Sequence, residues 1–257
     1  GIGRALSLEL GQRKTTVIAA DINAEGAEQV ASEINADGGR AQAAHLDVTQ
    51  AEEVQKLVEG TASEHGRLDY IFNNAGIAIA GEVRDMSLDH WRRIIDINLW
   101  GVIYGTMAAY PLMIEQGFGH IVNTASTAGL IGTPLLASYS TTKHAVVGLS
   151  TSLRAEAAGL GVKVSVVCPG FIKTGIFEAA TVLKASREDA MAKGESLSME
   201  VTPAARKILR GVERNKPIIN FPFSARLMWW LYRMHPSSLA LLMRKAVRDF
   251  RVTRIES

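Results

Sequence analysis

The sequence predicts a single α/β domain over residues 1–222, a doubly wound parallel sheet with helices on both faces, followed by a C-terminal helical tail over 223–257. Three observations carry this. Short β-rich apolar runs alternate with segments of helical period between Thr15 and Pro222. No repeat, linker or low-complexity tract breaks the alternation. With 257 residues and 47% hydrophobic content, the chain can bury one large core without covalent staples.

Taken in order, Gly1, Ile2 and Gly3 open an amphipathic helix with Ile2, Leu6 and Leu10 on one side. Thr15 to Asp21 reads as a strand ending in an acid, and a helix follows to about Asp37. An acid there suits the 2′-hydroxyl of an adenosine ribose, and it suits a helix N-cap as well. Its carboxylate repels a 2′-phosphate, and Ile22 rather than an arginine follows it, so NAD is preferred to NADP.

Arg40 to Val48 forms another strand, with Asp47 and Val48 at its carboxyl end, where ligands of open parallel sheets sit. Thr49 and Glu52 have the spacing of a capping box for the next helix. Leu68 to Gly76 is a strand ending in Asn73, Asn74, Ala75 and Gly76, small residues that let backbone approach a ligand. A long helix runs from about Ser87 to Gln116. Asn98 stands inside its apolar stretch, where asparagine competes for backbone hydrogen bonds and so marks a job.

Gly119 to Thr124 is the next strand, then a small-residue loop with Ser126, then a helix from Ala137 to about Gly161. Val162 to Cys168 is a buried strand that leaves through a Pro169-Gly170 turn. Gly175 to Met199 lacks a clean period. Thr202 and Pro203 start a helix as cap and first-turn proline, and Lys216 to Pro222 is a final edge strand.

Tyr139 and Lys143 project from one helix face about a turn apart. A phenol with a pKa near ~10 exchanges protons poorly at neutral pH, and a neighbouring cation lowers that value. Tyr139 is thereby a candidate general acid/base, with the Ser126 hydroxyl within reach.

These words together resemble the short-chain dehydrogenase/reductase family. Ser126 stands thirteen residues before the tyrosine of Tyr139-x-x-x-Lys143, Asn73 to Gly76 spells its Asn-Asn-Ala-Gly word, and Thr174 lies four residues after Gly170. The resemblance covers residues 1–222 and implies a Rossmann-like fold and hydride transfer between a nicotinamide cofactor and an alcohol or ketone. It implies that Gly1, Ile2 and Gly3 close a glycine-rich turn after a first strand, so some 10–20 residues are expected ahead of Gly1. Asp47 and Val48 would face adenine, and Asn74, Ala75 and Gly76 would line the cofactor. Pro169, Gly170, Ile172 and Thr174 would line the nicotinamide and phosphates.

The same resemblance gives roles to four residues. Tyr139 moves the substrate proton, Lys143 lowers the Tyr139 pKa and holds the ribose, and Ser126 donates to the substrate oxygen. Asn98 interrupts its helix and holds a water near the lysine. Residues 175–199 are the expected substrate lid, and pairing through the Asn98 and Tyr139 helices is the expected route to a homodimer or homotetramer. An alternative reading, a catalytically silent dinucleotide-binding sensor, is opposed by the intact set Asn98, Ser126, Tyr139 and Lys143.

Composition excludes other classes. A net charge of +2 gives no case for nucleic acid. The lone Cys168 forms no internal disulfide, which suits a reducing, cytoplasmic compartment. No uninterrupted apolar run approaches the ~18 residues of a membrane span. Residues 224–257 hold seven Arg and Lys against two acids, interleaved with Trp229, Trp230 and other apolar residues and split by Pro236. Such basic amphipathic helices either lie on a membrane, cover the cleft or pack on another subunit.

Overall fold

The computed structural model describes residues 1–185 and 198–255. Four parallel strands form its centre in the order β3 (Tyr70–Asn73), β5 (Gly119–Thr124), β6 (Val162–Pro169) and β8 (Ile218–Phe221). A second parallel pair, β1 (Thr16–Asp21) with β2 (Arg40–His45), stands beside it, and the short β4 (Ile79–Ala80) pairs with β7 (Thr181–Val182), which follows the one-turn helix α7 (Gly175–Glu178). The one continuous sheet read from sequence is therefore divided among the described residues.

Helices cover both faces, as parallel strands require. On one face α1 (Ile2–Gln12) and α8 (Val201–Glu213) bury Leu6 and Ile208 against Val122 and Val167. On the other, α5 (Gly101–Gln116) and α6 (Ala137–Glu156) bury Met113 and Val146 against Ile121 and Val166. These strand side chains alternate between faces, and each contributes roughly 1.5–3 kcal/mol by its burial. Centred on β5 and β6, they make a rigid platform whose carboxyl ends carry the site.

The long helix expected over 87–116 is interrupted. Here α4 (Leu88–Ile95), capped by Ser87, passes through a π-helical turn at Asp96–Trp100 before α5 begins. The stretch Leu88–Gln116 is nonetheless 29 residues long and contains an 18-residue window with a mean hydropathy of 1.3, enough by length and composition to cross a bilayer. Counting uninterrupted apolar runs overlooked it because glycine, threonine and tyrosine dilute the run. Ile94, Val102, Ala109 and Met113 bury its inner side in the domain, which is how a core helix is built.

Two helix starts also differ from expectation. Gln50 rather than Thr49 precedes α3 (Ala51–His65), and Thr49 instead donates to Asp47, so the capping box does not form. Helix α8 starts at Val201 with Glu200 ahead of it, so Thr202 lies within the first turn. Part of the expected lid, residues 186–197, lies outside the described residues. The tail is two helices as read, α9 (Phe223–Met234) and α10 (Ala240–Val252), joined through a 3₁₀ turn at Pro236–Leu239.

Candidate active site

The carboxyl end of β5 and the first turn of α6 build the chemical end of the site. Ser126 is extended and starts a 3₁₀ turn, its Oγ accepting from the Ala128 N–H at 3.2 Å and donating to the Pro169 carbonyl at 3.4 Å. That pins the serine between β5 and β6. Lys143 is 2% exposed, and its Nζ donates to the Thr124 carbonyl at 2.9 Å while lying 5.6 Å from the centre of the Tyr139 ring. The helical spacing thus delivers phenol and ammonium to one face, beside the serine.

Their electrostatics differ from the sequence expectation. Burial pushes Tyr139 up to about 12, outweighing the lowering from its hydrogen bond with Ser126. Burial also brings Lys143 down to about 8. Desolvation opposes both charged forms, so in the protein alone the cation does not win over the low dielectric. At neutral pH the resting site holds a protonated phenol. Cys168 lies close by, and burial pushes its thiol up to about 12, which makes it an inert wall rather than a nucleophile.

Asn98 is fully buried in the π turn. Its Oδ1 accepts from the Ile77 N–H at 2.8 Å, and its Nδ2 donates to the Ile77 carbonyl at 2.9 Å and to Thr142 at 3.4 Å. The amide therefore ties the loop after β3 to α6. Between them sits Gly76, where an added Cβ would stand 3.2 Å from Asn98 Oδ1 and 3.4 Å from Lys143 Nζ. A side chain there would crowd both groups, so glycine lets that backbone lie close over the lysine.

A cavity of about 1570 Å³ runs from β1 past the start of α1 to Ser126 and Tyr139. Every residue expected to bind cofactor lines it: Gly1, Ile2, Gly3, Asp21, Asp47, Val48, Asn74, Ala75, Gly76, Tyr139, Lys143, Pro169, Gly170, Ile172 and Thr174. Asn98 lies behind the wall. Helix α1 starts with no side-chain cap, leaving its first N–H groups open to an anion, and a Cβ on Gly3 would come within 2.8 Å of Asn74 Nδ2. Asp21 is exposed at the end of β1 with Oδ1 accepting from the Asn23 N–H, and Asn23 is the cap of α2 (Ala24–Ala36). Asp21 is therefore free of the capping role that competed for it.

Asp47 is held differently. Hydrogen bonds from the Thr49 N–H and hydroxyl, at 2.9 and 2.8 Å, keep its carboxyl below the usual range and orient Val48 against Gly101. This cradle of uncapped helix end, close-approach glycines and terminal acid fits a dinucleotide.

Several contributors escaped the sequence reading. The Thr124 carbonyl that receives Lys143 is backbone and leaves no side-chain mark. Asn73 donates to Asn123, which donates to Ser150, a buried polar chain that ties β3, β5 and α6 together. Asparagines within a β-rich run were the available signal. Met228, Leu239, Leu242 and Met243 of the tail line the cavity and give it an apolar roof.

A family model described as short chain dehydrogenase matches residues 1–182. The chain is 39% identical over 190 residues to the cyclohexanol dehydrogenase of Acinetobacter sp. (strain SE19), covering 72% of this chain and 75% of that one. It is 34% identical over 257 residues to SadH, an oxidoreductase by name, of Mycobacterium tuberculosis (strain ATCC 25618 / H37Rv), covering 97% and 92%. Among solved structures, a short chain dehydrogenase/reductase from Burkholderia phymatum in complex with NAD superposes with a TM-score of 0.78 at 25% identity, over 100% of this chain and 92% of that one. A short-chain dehydrogenase from Streptomyces avermitilis reaches 0.82 at 25% identity, over 96% and 95%. Fold, cradle and family match agree, and the chain belongs to the short chain dehydrogenase family.

Proposed function

We propose that this protein is an oxidoreductase that interconverts a lipophilic alcohol and its carbonyl compound, with NAD as its preferred nicotinamide cofactor. The observation that carries this is the grouping of Ser126, Tyr139 and Lys143 at one end of a dinucleotide-sized cavity whose far end carries the acid Asp21. The relatives support the chemistry: they include dehydrogenases named for cyclohexanol and for meso-2,3-butanediol. A nicotinamide dinucleotide, when bound, supplies the site for hydride gain or loss.

The chain's own residues do the rest. Tyr139 accepts the hydroxyl proton of an alcohol or donates one to a carbonyl oxygen. Ser126 donates to the same oxygen, where negative charge grows in the transition state. Lys143 holds a positive charge beside the phenol and would hold the ribose hydroxyls of a bound cofactor, and Asn98 fixes the loop over that lysine. Asp21 would accept from a ribose 2′-hydroxyl and repel a 2′-phosphate. The apolar tail residues around the mouth favour a lipophilic substrate. A silent sensor has no need of all four polar residues and is the weaker reading.

Two further readings concern partners. Stacked Trp100 and Tyr104, with exposed Met107 on the same helix, support self-association as a homodimer or homotetramer. Phe223, Leu227, Trp230 and Met234 make an exposed stripe on α9 among basic residues, which supports peripheral contact of a cytoplasmic protein with a membrane.

A panel of primary and secondary alcohols of graded size, read by nicotinamide absorbance with NAD and NADP in parallel, tests the reading. Turnover that favours larger apolar alcohols and NAD supports it. Turnover of none of them, or of NADP alone, overturns the corresponding part.

A further inference from the structure

The end of the tail is fastened to the far side of the cleft by charge. Glu82 and Asp85 sit in the 3₁₀ turn region after β4, their side chains only 10% and 8% exposed. Arg254 grips Asp85 through both guanidinium nitrogens, at 2.6 and 2.7 Å, and reaches Glu82 at 3.2 Å. Arg251 donates to Glu82 at 2.6 and 2.9 Å. The Ile255 N–H adds a bond to the Lys184 carbonyl, just past β7, at 2.9 Å. Arg84 also donates to Glu82, at 2.6 and 3.2 Å, so it is Asp85 that depends on the tail for its bidentate partner, and a little-exposed carboxylate left without one is costly.

The turn they fasten to leads back to the chemistry. Gly81 donates to the Leu135 carbonyl at 2.8 Å and bridges to Leu136, the residue just ahead of α6 and Tyr139. On its other side α10 presents Leu242, Met243 and Ala246 to the cavity. One helix is thus pinned at its end by ions and contributes an apolar side to the cavity lining.

We propose that the Glu82–Asp85 and Arg251–Arg254 clasp holds α10 as the roof of the substrate pocket and so sets the preference for long apolar alcohols. These four are positioning residues: none reaches the reacting atoms. The proposal rests on the alcohol/carbonyl reading for its substrate class and on the ion-pair geometry for its device. A long chain gains contact with the roof, whereas a short alcohol near Ser126 does not reach it.

The test uses the full chain, secondary alcohols from 2-propanol to 2-dodecanol, and the variants Arg254→Met and Asp85→Arg/Arg254→Asp. Loss of a bidentate pair should raise KM for 2-dodecanol by about tenfold in Arg254→Met. KM for 2-propanol and the Kd for NAD should stay as in the wild type, and the exchanged pair should recover the long-chain KM. Backbone hydrogen exchange of residues 240–252 is read in parallel and should accelerate in Arg254→Met. An equal KM change along the series, or unchanged exchange in α10, overturns the clasp. If the wild type turns over no alcohol, the alcohol reading fails while the exchange data still judge the clasp.

Discussion

At the scale of single residues, the site is decided by a contest between charge and burial. Lys143 lies where the i,i+4 spacing puts it, yet low dielectric holds Tyr139 protonated to about 12 and Lys143 down to about 8. A phenol that starts protonated can give its proton directly to a carbonyl, but it must lose one before accepting from an alcohol. Alcohol oxidation should therefore speed up as pH rises from about 6 to 8, the range in which Lys143 keeps its charge, approaching a tenfold gain per unit, while carbonyl reduction gains nothing. Initial rates in both directions across that range check this; an oxidation rate independent of pH would count against a protonated resting Tyr139. At the other end of the cavity, Asp21→Arg should move the NADP-to-NAD preference by on the order of tenfold or more toward NADP, read as the ratio of kcat/KM values. An unaltered ratio would remove Asp21 from the ribose site.

These residues differ in how far the sequence exposed them. Tyr139 and Lys143 were legible because helical geometry translates spacing directly into proximity. Asn98 was legible because an amide inside an apolar helix is costly without a use. The outcome of the charge contest was not, since desolvation depends on everything packed around the pair. Nor was the clasp, whose partners lie 169 or more residues apart.

At the scale of elements, the π turn at Asp96–Trp100 is the piece on which the rest of the site leans. It carries Asn98 inward, where one amide satisfies both backbone groups of Ile77. Asn98→Ala leaves a buried N–H and C=O without partners, so stability should fall by about 2–4 kcal/mol. Turnover should fall with it, because Gly76 would no longer be held over Lys143. Thermal unfolding and kcat measured together check both; a variant of wild-type stability would mean the clamp is redundant. Strand and helix identity followed from period and composition, while their ends followed from local bonds that the sequence states ambiguously. Thr49 illustrates this: its hydroxyl turned to Asp47 rather than to the helix start, since both acceptor and N–H were within reach.

At the scale of the whole molecule, the centre of the sheet is anchored by a buried histidine away from the carboxyl ends of the strands. His120 on β5 hydrogen-bonds with Ser165 on β6 at 2.9 Å, and Ser165 donates to the Lys216 carbonyl at 2.7 Å. Burial brings His120 down to about 4. Its folded pKa lies below the unfolded value of 6.5, so between these values the unfolded chain binds more protons. Stability should fall as pH drops through that window, by about 3 kcal/mol in full. Urea unfolding at pH 7 and 4.5 checks this, and His120→Asn should flatten the difference; an equal loss in both proteins would place the acid sensitivity elsewhere.

Layers and alternation were readable at this scale because doubly wound order is written into the succession of strand and helix. The division of the sheet between β1 and β3 was not, since pairing is a property of neighbours rather than of any one strand.

The central claim is that Tyr139 moves the substrate proton, and Tyr139→Phe tests it with the least ambiguity, because it removes one oxygen and keeps the ring. With the best alcohol of the graded panel and saturating NAD, kcat should fall by about 10²- to 10⁴-fold while the Kd for NAD stays close to that of the wild type. A variant that turns over at nearly the wild-type rate would contradict the account.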